Sequence, residues 1–279
     1  MTVLTRRTSS KLLSLLVALV IMLIVVFPLY WMAITALKPG AEIYASEPTL
    51  YPHAPTFEGF VNLFERIPFG RYLLNSVIVA VGATVIATCC ASLAAYGLTR
   101  LTFRGRDLLG GLFFSTYLVP ISVLFIPIFL MMDAFALTNT YWGLIIAYQS
   151  FTIPFSVWLL RGYFQNIPTD LEDAARVDGC NRLQALIRVV LPIAAPGITA
   201  SAIFAFTLTW NEFLLAVVLM TRQDRTTAPV GLQSFLFADS ANWAELMAGA
   251  VIMGVPIVIL YLVAERYIVS GLAAGSVKG

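Results

Sequence analysis

Residues 169–192 read TDLEDAARVDGCNRLQALIRVVLP, the longest charged segment in a chain otherwise made of apolar runs and short polar breaks. Thr169 followed three residues later by Glu172 fits a capping box, which predicts that a helix begins there. Gly179 favours the left-handed backbone that ends helices, and Pro192 predicts the end of a second helix. The stretch therefore predicts two short helices joined at a glycine.

Both predicted helices are amphipathic. In the first, Leu171, Ala174 and Ala175 have the i, i+3, i+4 spacing of a single helix face. In the second, apolar residues recur at i, i+3, i+4, i+7 and i+8, namely Leu183, Leu186, Ile187, Val190 and Leu191. Such a pair can lie flat on lipid or dock into a groove of a partner protein. The first helix is acidic and its apolar stripe is mostly alanine, which favours the protein groove.

The rest of the chain has the composition of a membrane protein. Hydrophobic residues form 59% of the 279 residues and charged residues only 11%, against about 25% in an average soluble domain. A crossing helix needs about 20 apolar residues, so intervals with few or no charges mark the spans. They predict six spans, at about 12–37, 72–99, 108–132, 140–160, 194–220 and 246–268. We therefore expect an all-α polytopic membrane protein, with residues 1–279 forming one transmembrane domain.

The distribution of positive charge predicts the orientation. Six spans place both termini on one side of the membrane. Of the 17 Lys and Arg residues, all lie on that side except Lys38, Arg66, Arg71, Arg222 and Arg225. Cytoplasmic loops carry the excess of Lys and Arg. The two termini and the segment 169–192 are therefore predicted to be cytoplasmic.

One predicted span contains a clear polar insertion, WNEF at 210–213. An ionisable group within a span is costly and indicates a functional role by default. Asn211 and Glu212 are predicted either to face a solute pathway or to make structural hydrogen bonds with another helix. Further candidates for the pathway are Asn75, Tyr148 and Gln149.

Several function classes lack support. His53 is the only histidine and has no ligand partners beside it, so no metal site is predicted. No phosphate-binding G-x-x-x-x-G-K-[ST] loop and no set of catalytic residues occurs, so the chain is not expected to be an enzyme or to bind ATP in that way. No basic block suggests nucleic acid. An alanine at every fourth position from Ala83 to Ala95 predicts close helix packing, inside this chain or with a second subunit.

The segment 169–192 resembles the EAA coupling loop of binding-protein-dependent ABC importer permeases, roughly E-A-A-x-x-x-G, nine residues, then I-x-L-P. Here Asp173-Ala174-Ala175 precedes Gly179, and Val189-Val190-Leu191-Pro192 follows at the same spacing. Asp173 stands for the usual Glu and Val189 for the usual Ile. RLTFRGRD at 100–107 and WNEF extend the resemblance to the carbohydrate (maltose-permease-like) group, with a family core at 68–270. The end, GLAAGSVKG at 271–279, resembles a tail that reaches between paired ATPase subunits.

The resemblance implies a permease subunit of an ATP-driven importer for a disaccharide or related saccharide or polyol, in a prokaryotic plasma (inner) membrane. It would form half of the translocation pathway, with coupling helices at 169–191. Implied partners are a second permease subunit in a heterodimer, two ATP-binding subunits that hold ATP and Mg, and an extracytoplasmic solute-binding protein; this chain would bind no cofactor. Implied ATPase contacts are Glu172, Asp173, Ala174, Ala175, Asp178, Gly179, Leu191 and Pro192, with Gly275, Ser276, Val277 and Lys278 in the tail. The alternative is a secondary transporter driven by an ion gradient. Such a transporter would be expected to contain several carboxylates within its spans, but Glu212 is the only candidate in this sequence.

Overall fold

The computed structural model describes residues 2–236 and 242–275 and is helical, with no β-strand in those ranges. The all-α prediction is confirmed. By its internal contacts, the chain divides into two compact units, Met1–Pro68 with Leu232–Gly254 and Phe69–Gly231 with Val255–Gly279. Apolar intervals locate spans but do not reveal which spans pack together, so this division could not be predicted.

The helices follow one another with short connections. They are α1 (Thr2–Ala36), α2 (Gly40–Ile43), α3 (Glu58–Arg66), α4 (Phe69–Arg100), α5 (Arg106–Tyr117), α6 (Ile121–Ala134), α7 (Tyr141–Gln165), α8 (Asp170–Val177), α9 (Arg182–Ala185), α10 (Leu191–Ile193), α11 (Ala195–Trp210), α12 (Leu214–Leu219), α13 (Ala228–Gln233) and α14 (Trp243–Gly275). A π-helical turn at Leu186–Val190 joins α9 to α10, and a 3-10 turn at Gln223–Arg225 precedes α13.

Four helices of the described chain are long and apolar enough to cross a bilayer: Leu13–Ala36, Phe69–Arg100, Tyr141–Gln165 and Trp243–Glu265. Two pairs of helices qualify only together. Arg106–Tyr117 meets Ile121–Ala134 at a bend of 99°, and Arg182–Ile193 meets Ala195–Trp210 at a bend of 80°. Six crossings result if each bent pair is one span.

The third predicted span, 108–132, is not one continuous helix. α5 ends at Tyr117 and α6 begins at Ile121, after Pro120 in an extended conformation. Proline lacks an N–H and disfavours helical backbone at the residue before it, here Val119, so the first helix ends in front of it.

The fifth predicted span, 194–220, is also interrupted. α11 ends at Trp210 and a new helix, α12, begins at Leu214. The Glu212 carboxylate accepts the backbone N–H groups of Leu215 at 3.0 Å and Ala216 at 3.2 Å. These bonds satisfy donors at the start of α12 and so help a separate helix to begin there.

The last helix extends beyond its predicted end. The sequence predicts a span to 268 and a non-helical tail at 271–279, but α14 continues to Gly275. Leucine and alanine at 272–274 are strong helix formers and can extend a helix that has already begun. The remaining predicted tail contacts, Ser276, Val277 and Lys278, lie outside the described residues.

The larger unit is organised around α4, which packs mainly along α7 and α11. Ala83, Ala87, Ala91 and Ala95 are fully buried within this chain. Side chains this small let helix backbones approach closely. The alanine stripe therefore serves packing inside the chain, the first of the two roles left open by the sequence.

α1 has the surface of a lipid-exposed helix. No residue of its most apolar 18-residue window, within Leu13–Ala36, is buried by the part of the chain that the structure describes. So continuous an apolar surface is stable in a hydrocarbon solvent and not in water. In the same unit, the Glu245 carboxylate of α14 lies 3.4 Å from Arg66 and accepts a hydrogen bond from Asn62, both on α3.

Candidate functional site

The candidate coupling loop, defined as residues 169–193, contains the two short helices that the sequence predicts. α8 ends at Val177, and the second helix begins at Arg182 as α9 and continues through the π-turn to Ile193. Gly179 between them has a φ of +91°, a left-handed conformation, as expected. A Cβ built there would meet nothing within 4 Å, so backbone conformation, not space, favours glycine.

The predicted capping box at the start of α8 is wrong. Thr169 has helical dihedral angles and its side chain makes no cap hydrogen bond. A capping box is found instead at the second helix, where Asn181 and Gln184 each bond the other's backbone N–H at 2.9 Å. The reason is that Glu172, the expected capping partner, is engaged elsewhere.

Glu172 belongs to a buried cluster that we call the clamp, formed by Tyr96, Arg100 and Glu172. The Arg100 guanidinium pairs with the Glu172 carboxylate, and both side chains are less than a tenth exposed. The Tyr96 hydroxyl donates to the same carboxylate at 3.0 Å. Charge-assisted hydrogen bonds of this kind are stronger than a neutral cap.

The clamp reaches both helices of the loop and its entry. Arg100 also donates to the backbone carbonyl of Ile167 at 2.8 Å, just before α8. Tyr96 is 3.4 Å from the carbonyl of Arg182, at the start of the second helix. The end of α4 therefore holds the loop at Glu172 and Arg182 and the chain before it at Ile167, so the loop and α4 are expected to move together.

The outward side of α8 is largely exposed, and the ion pair of Asp173 with Arg176 lies within the helix itself. Asp173, Ala174 and Asp178 are exposed, and Ala175 is half-buried. Apolar side chains are exposed beside them, with Leu171 at 44% and Val177 at 88% exposure. Acidic and apolar groups presented together on a short helix form a surface suited to a protein groove.

The apolar stripe of the second helix is divided between two environments. Leu186 and Val190 are buried against Leu160 and Phe164 of α7. Leu183 and Ile187, one turn from them, remain exposed. One row thus anchors the loop to the unit while the other adds apolar surface to the outward side. Of the remaining predicted contacts, Leu191 is half-buried and Pro192 is exposed.

Asn75, predicted as a pathway residue, lies in a buried hydrogen-bond network. Its amide donates to the carbonyl of Thr226 at 2.8 Å, and its carbonyl accepts from the Tyr141 hydroxyl at 2.7 Å. A third bond joins the amide to the carbonyl of Asp224 at 3.2 Å. These contacts tie α4 and α7 to the segment 222–227, so the geometry indicates a structural role for Asn75.

Asn211 and Glu212 sit in the break between α11 and α12. Asn211 is exposed and donates to the Thr207 carbonyl of its own helix at 2.9 Å. Glu212 is half-buried and uses its carboxylate to cap α12, as described above. The hydrogen bonds of both residues are local, which is closer to the structural alternative than to a pathway role.

Tyr148 and Gln149 lie in the middle of α7. The Tyr148 hydroxyl is buried near the Glu212 carboxylate and makes no hydrogen bond of standard geometry. Gln149 donates to the carbonyl of Ile145 at 2.8 Å and approaches that of Ala83 on α4 at 3.4 Å. The structure thus brings Tyr148 and Glu212 together, whereas Asn75 belongs to a different network.

Sequence reasoning missed a further set of polar groups. Besides Tyr148, buried hydroxyls without a hydrogen-bond partner occur on the packed helices α4, α7 and α11, at Thr84, Thr88, Ser156, Ser201 and Thr207. Most buried polar groups are paired, so these hydroxyls need an explanation, for example ordered water or a passing solute. Serine and threonine inside apolar runs were the only signal, and it is weak.

A known structure has the same fold. The chain is similar to one in the crystal structure of a bacterial ABC transporter involved in the import of the acidic polysaccharide alginate, with a TM-score of 0.79 and 23% identity. The match covers 92% of this chain and 95% of that one. At this identity the comparison concerns the fold alone.

Two curated relatives are more similar in sequence. The sulfoquinovosyl glycerol transport system permease protein SmoH of Agrobacterium fabrum is 36% identical over 97% of this chain and 95% of its own. The diacetylchitobiose uptake system permease protein DasC of Streptomyces coelicolor is 37% identical over 94% of this chain and 95% of its own. Residues 87–273 match the family described as "Binding-protein-dependent transport system inner membrane component", and this match, together with the two relatives, shows that the chain belongs to that family.

Proposed function

We propose that this chain is the permease subunit of an ATP-driven ABC importer for a saccharide, and that its coupling loop transmits the conformational change of separate ATPase subunits. The observation that carries the proposal is the pairing of two features in one segment. The loop is anchored inward by the clamp, and it presents exposed acidic and apolar residues outward. An element that is rigid on one side and open on the other suits the transmission of force between subunits.

The proposed partners are those that the resemblance to importer permeases implies. Two ATPase subunits would bind ATP and Mg and supply the energy of hydrolysis, in keeping with the absence of a phosphate-binding loop from this sequence. A second, different permease subunit would complete the pathway, and an extracytoplasmic solute-binding protein would deliver the solute. Asp173, Ala174, Ala175 and Asp178 would contact the ATPase, and Gly275 to Lys278 would add a second contact.

The orientation completes this arrangement. Both termini and the coupling loop would face the cytoplasm, where ATP is available, since that side has most of the Lys and Arg residues. The long segment between α1 and α4 would then face the external side and its binding protein.

A saccharide is the best-supported class of solute. SmoH and DasC are named for the transport of sulfoquinovosyl glycerol and diacetylchitobiose, which both contain sugars. A saccharide has many hydroxyl groups and needs hydrogen-bond partners for them along the translocation pathway. The unpaired hydroxyls of α4, α7 and α11, with Tyr148, Gln149, Asn211 and Glu212, could supply such partners when the helices separate.

The mechanical step follows from the clamp. Nucleotide binding would close the ATPase subunits and displace the coupling loop. Since Arg100 and Tyr96 hold the loop to the end of α4, α4 would move with it and alter its packing against α7 and α11. These helices would have two packing arrangements, which correspond to inward-open and outward-open states of the pathway. Nucleotide binding would shift the equilibrium between them.

The test is to purify the complex that contains this chain and reconstitute it in proteoliposomes. Candidate saccharides are screened for stimulation of ATP hydrolysis and for uptake. We expect one saccharide or related polyol to stimulate both, and uptake to stop without ATP. Uptake that persists without ATP and depends on an ion gradient would instead indicate a secondary transporter.

A further inference from the structure

The smaller unit contains a cavity that the transport proposal does not use. It has a volume of about 330 Å³ and lies between the end of α1, the segment that follows it, and the start of α14. The residues that give it its character are Trp31, Thr35, Lys38, Glu42, Trp243 and Met247. Two indole rings, one ammonium and one carboxylate thus line a single pocket.

Lys38 is a buried cation with little compensation. It is 4% exposed, and its ammonium donates to the Thr49 carbonyl at 2.5 Å and lies 4.8 Å from the centre of the Trp31 ring. Across the described part of the chain, no carboxylate forms an ion pair with it. An ammonium has three N–H donors, and a buried charge without a counter-charge is costly. The site is therefore suited to an anionic group.

The cavity lies at the level of the membrane interface. The apolar span of α1 ends at Ala36, just before Lys38, and the span of α14 begins at Trp243. Because the ends of two spans meet at the cavity, the cavity lies near the boundary between the hydrocarbon core of the bilayer and the lipid headgroups. Tryptophan and lysine are common at this depth, where phospholipid phosphates are found.

We propose that this cavity binds the headgroup of a zwitterionic phospholipid of the ethanolamine class, with the phosphate on Lys38. The ammonium of Lys38 would donate charge-assisted hydrogen bonds to the phosphate oxygens. Glu42 contributes a negative charge to the same lining. That charge opposes a headgroup with net negative charge and favours one that also has an ammonium.

A neutral saccharide fits the cavity less well. Indole rings do stack on sugars, but a neutral ligand would leave the buried Lys38 ammonium without a directly paired anion. A lipid phosphate supplies that counter-ion, and its acyl chains would extend along the exposed apolar surface of α1.

The test uses the full-length chain, purified in mild detergent in the complex that it forms in the membrane. Native mass spectrometry measures retained lipid while the sample is titrated with phosphatidylethanolamine, phosphatidylglycerol, glycerophosphoethanolamine, inorganic phosphate or a disaccharide. We expect saturable retention of phosphatidylethanolamine, weaker retention of phosphatidylglycerol, and little binding of the soluble compounds. Lys38→Met should weaken retention by about tenfold or more, because a charge-assisted contact is lost.

Two variants keep the result interpretable. Lys11→Met removes an exposed lysine near the opposite end of α1 and should leave retention unchanged, whereas Lys38→Arg retains the charge and should keep most of the binding. Equal retention by Lys38→Met and the unchanged chain would overturn the proposal, as would equal losses in Lys38→Met and Lys11→Met. Saturable binding of inorganic phosphate alone would reassign the cavity to a free anion. Binding of the disaccharide that is lost in Lys38→Met would reassign it to the solute.

Discussion

Glu172 and Arg100 form a buried ion pair, and the energetics of such pairs are asymmetric. Removing one partner leaves the other charge buried without compensation, whereas replacing both with apolar groups can be nearly neutral. The pair therefore reveals its contribution best when single and double replacements are compared.

We predict that Arg100→Met opens the coupling loop locally, at a cost of about 3 kcal/mol, because Glu172 loses its counter-charge. Limited proteolysis within 169–192 should accelerate by about 100-fold if cleavage follows the open population. The double variant Arg100→Met/Glu172→Leu should recover much of the protection.

A matched control is Arg176→Met, which removes the exposed partner of Asp173, 3.3 Å away. It should change cleavage little, since exposed pairs contribute less than about 1 kcal/mol. Equal cleavage of the Arg100 and Arg176 variants would show that the clamp does not hold the loop.

Gly179 gives a second prediction at this scale. Its left-handed backbone costs a residue with a Cβ about 1–2 kcal/mol, so Gly179→Asp should change the angle between the coupling helices. Co-purification with the ATPase should fall while membrane insertion is unaffected. Gly179→Asn, without the charge, should impair docking less.

Gly105 offers a matched control for this experiment. Its φ is +86° and a Cβ there also meets nothing within 4 Å, but it lies in the turn before α5. Gly105→Asp carries similar strain and the same charge outside the coupling loop. Normal co-purification of Gly179→Asp, or an equal loss in Gly105→Asp, would contradict the role given to Gly179.

At the scale of elements, the break between α11 and α12 can be tested through Glu212. If its main task is to cap α12, Glu212→Gln keeps an acceptor and should retain most of the thermal stability of the complex. Glu212→Ala removes the cap and should cost about 1 kcal/mol. If the carboxylate instead contacts the solute, Glu212→Gln should lower uptake sharply at unchanged stability. Thermal unfolding and uptake measured on the same samples separate the two roles.

The segment after α1 should loosen in acid. The hydroxyl of Thr49, 2.5 Å from the Glu42 carboxylate, lowers the pKa of Glu42, and His53 adds to this effect. Because the pKa is lower in the folded chain, the stabilisation is present at neutral pH. It is lost as the pH falls below the ordinary glutamate range, about 4.3, and through the lowered pKa. Hydrogen exchange of the backbone amides of residues 42–53 should therefore increase as the pH is lowered, and the increase should be larger in the unchanged chain than in Glu42→Gln. Parallel pH profiles for the two chains would refute this prediction.

Some elements could be predicted from local pattern and others could not. Charge-poor intervals coincide with the four long apolar helices, because burial in hydrocarbon excludes charge whatever the helix packs against. Pro120 was a local signal for the first break. The clamp had no such signal, since Arg100 and Glu172 are 72 residues apart and meet only through the packing of α4 on α7. A capping box was predicted at Thr169, but its expected partner Glu172 is bound by Arg100 instead. The capping box that does form, at Asn181, was not predicted.

At the scale of the whole molecule, the proposed function requires one arrangement. The coupling loop must face the cytoplasm and touch the ATPase, while the clamp joins it to α4. Val177 is suited to probe this arrangement, because its side chain is 88% exposed at the end of α8. The native cysteines Cys89, Cys90 and Cys180 would first be replaced by serine.

The most direct measurement is site-specific labelling and crosslinking of Val177→Cys in membranes that contain the complete complex. We predict that a membrane-impermeant thiol reagent labels it only from the cytoplasmic side, that it crosslinks to the ATPase subunit, and that nucleotide changes the crosslinking yield. Labelling from the external side, or a loop that never crosslinks to the ATPase in any nucleotide state, would contradict the account.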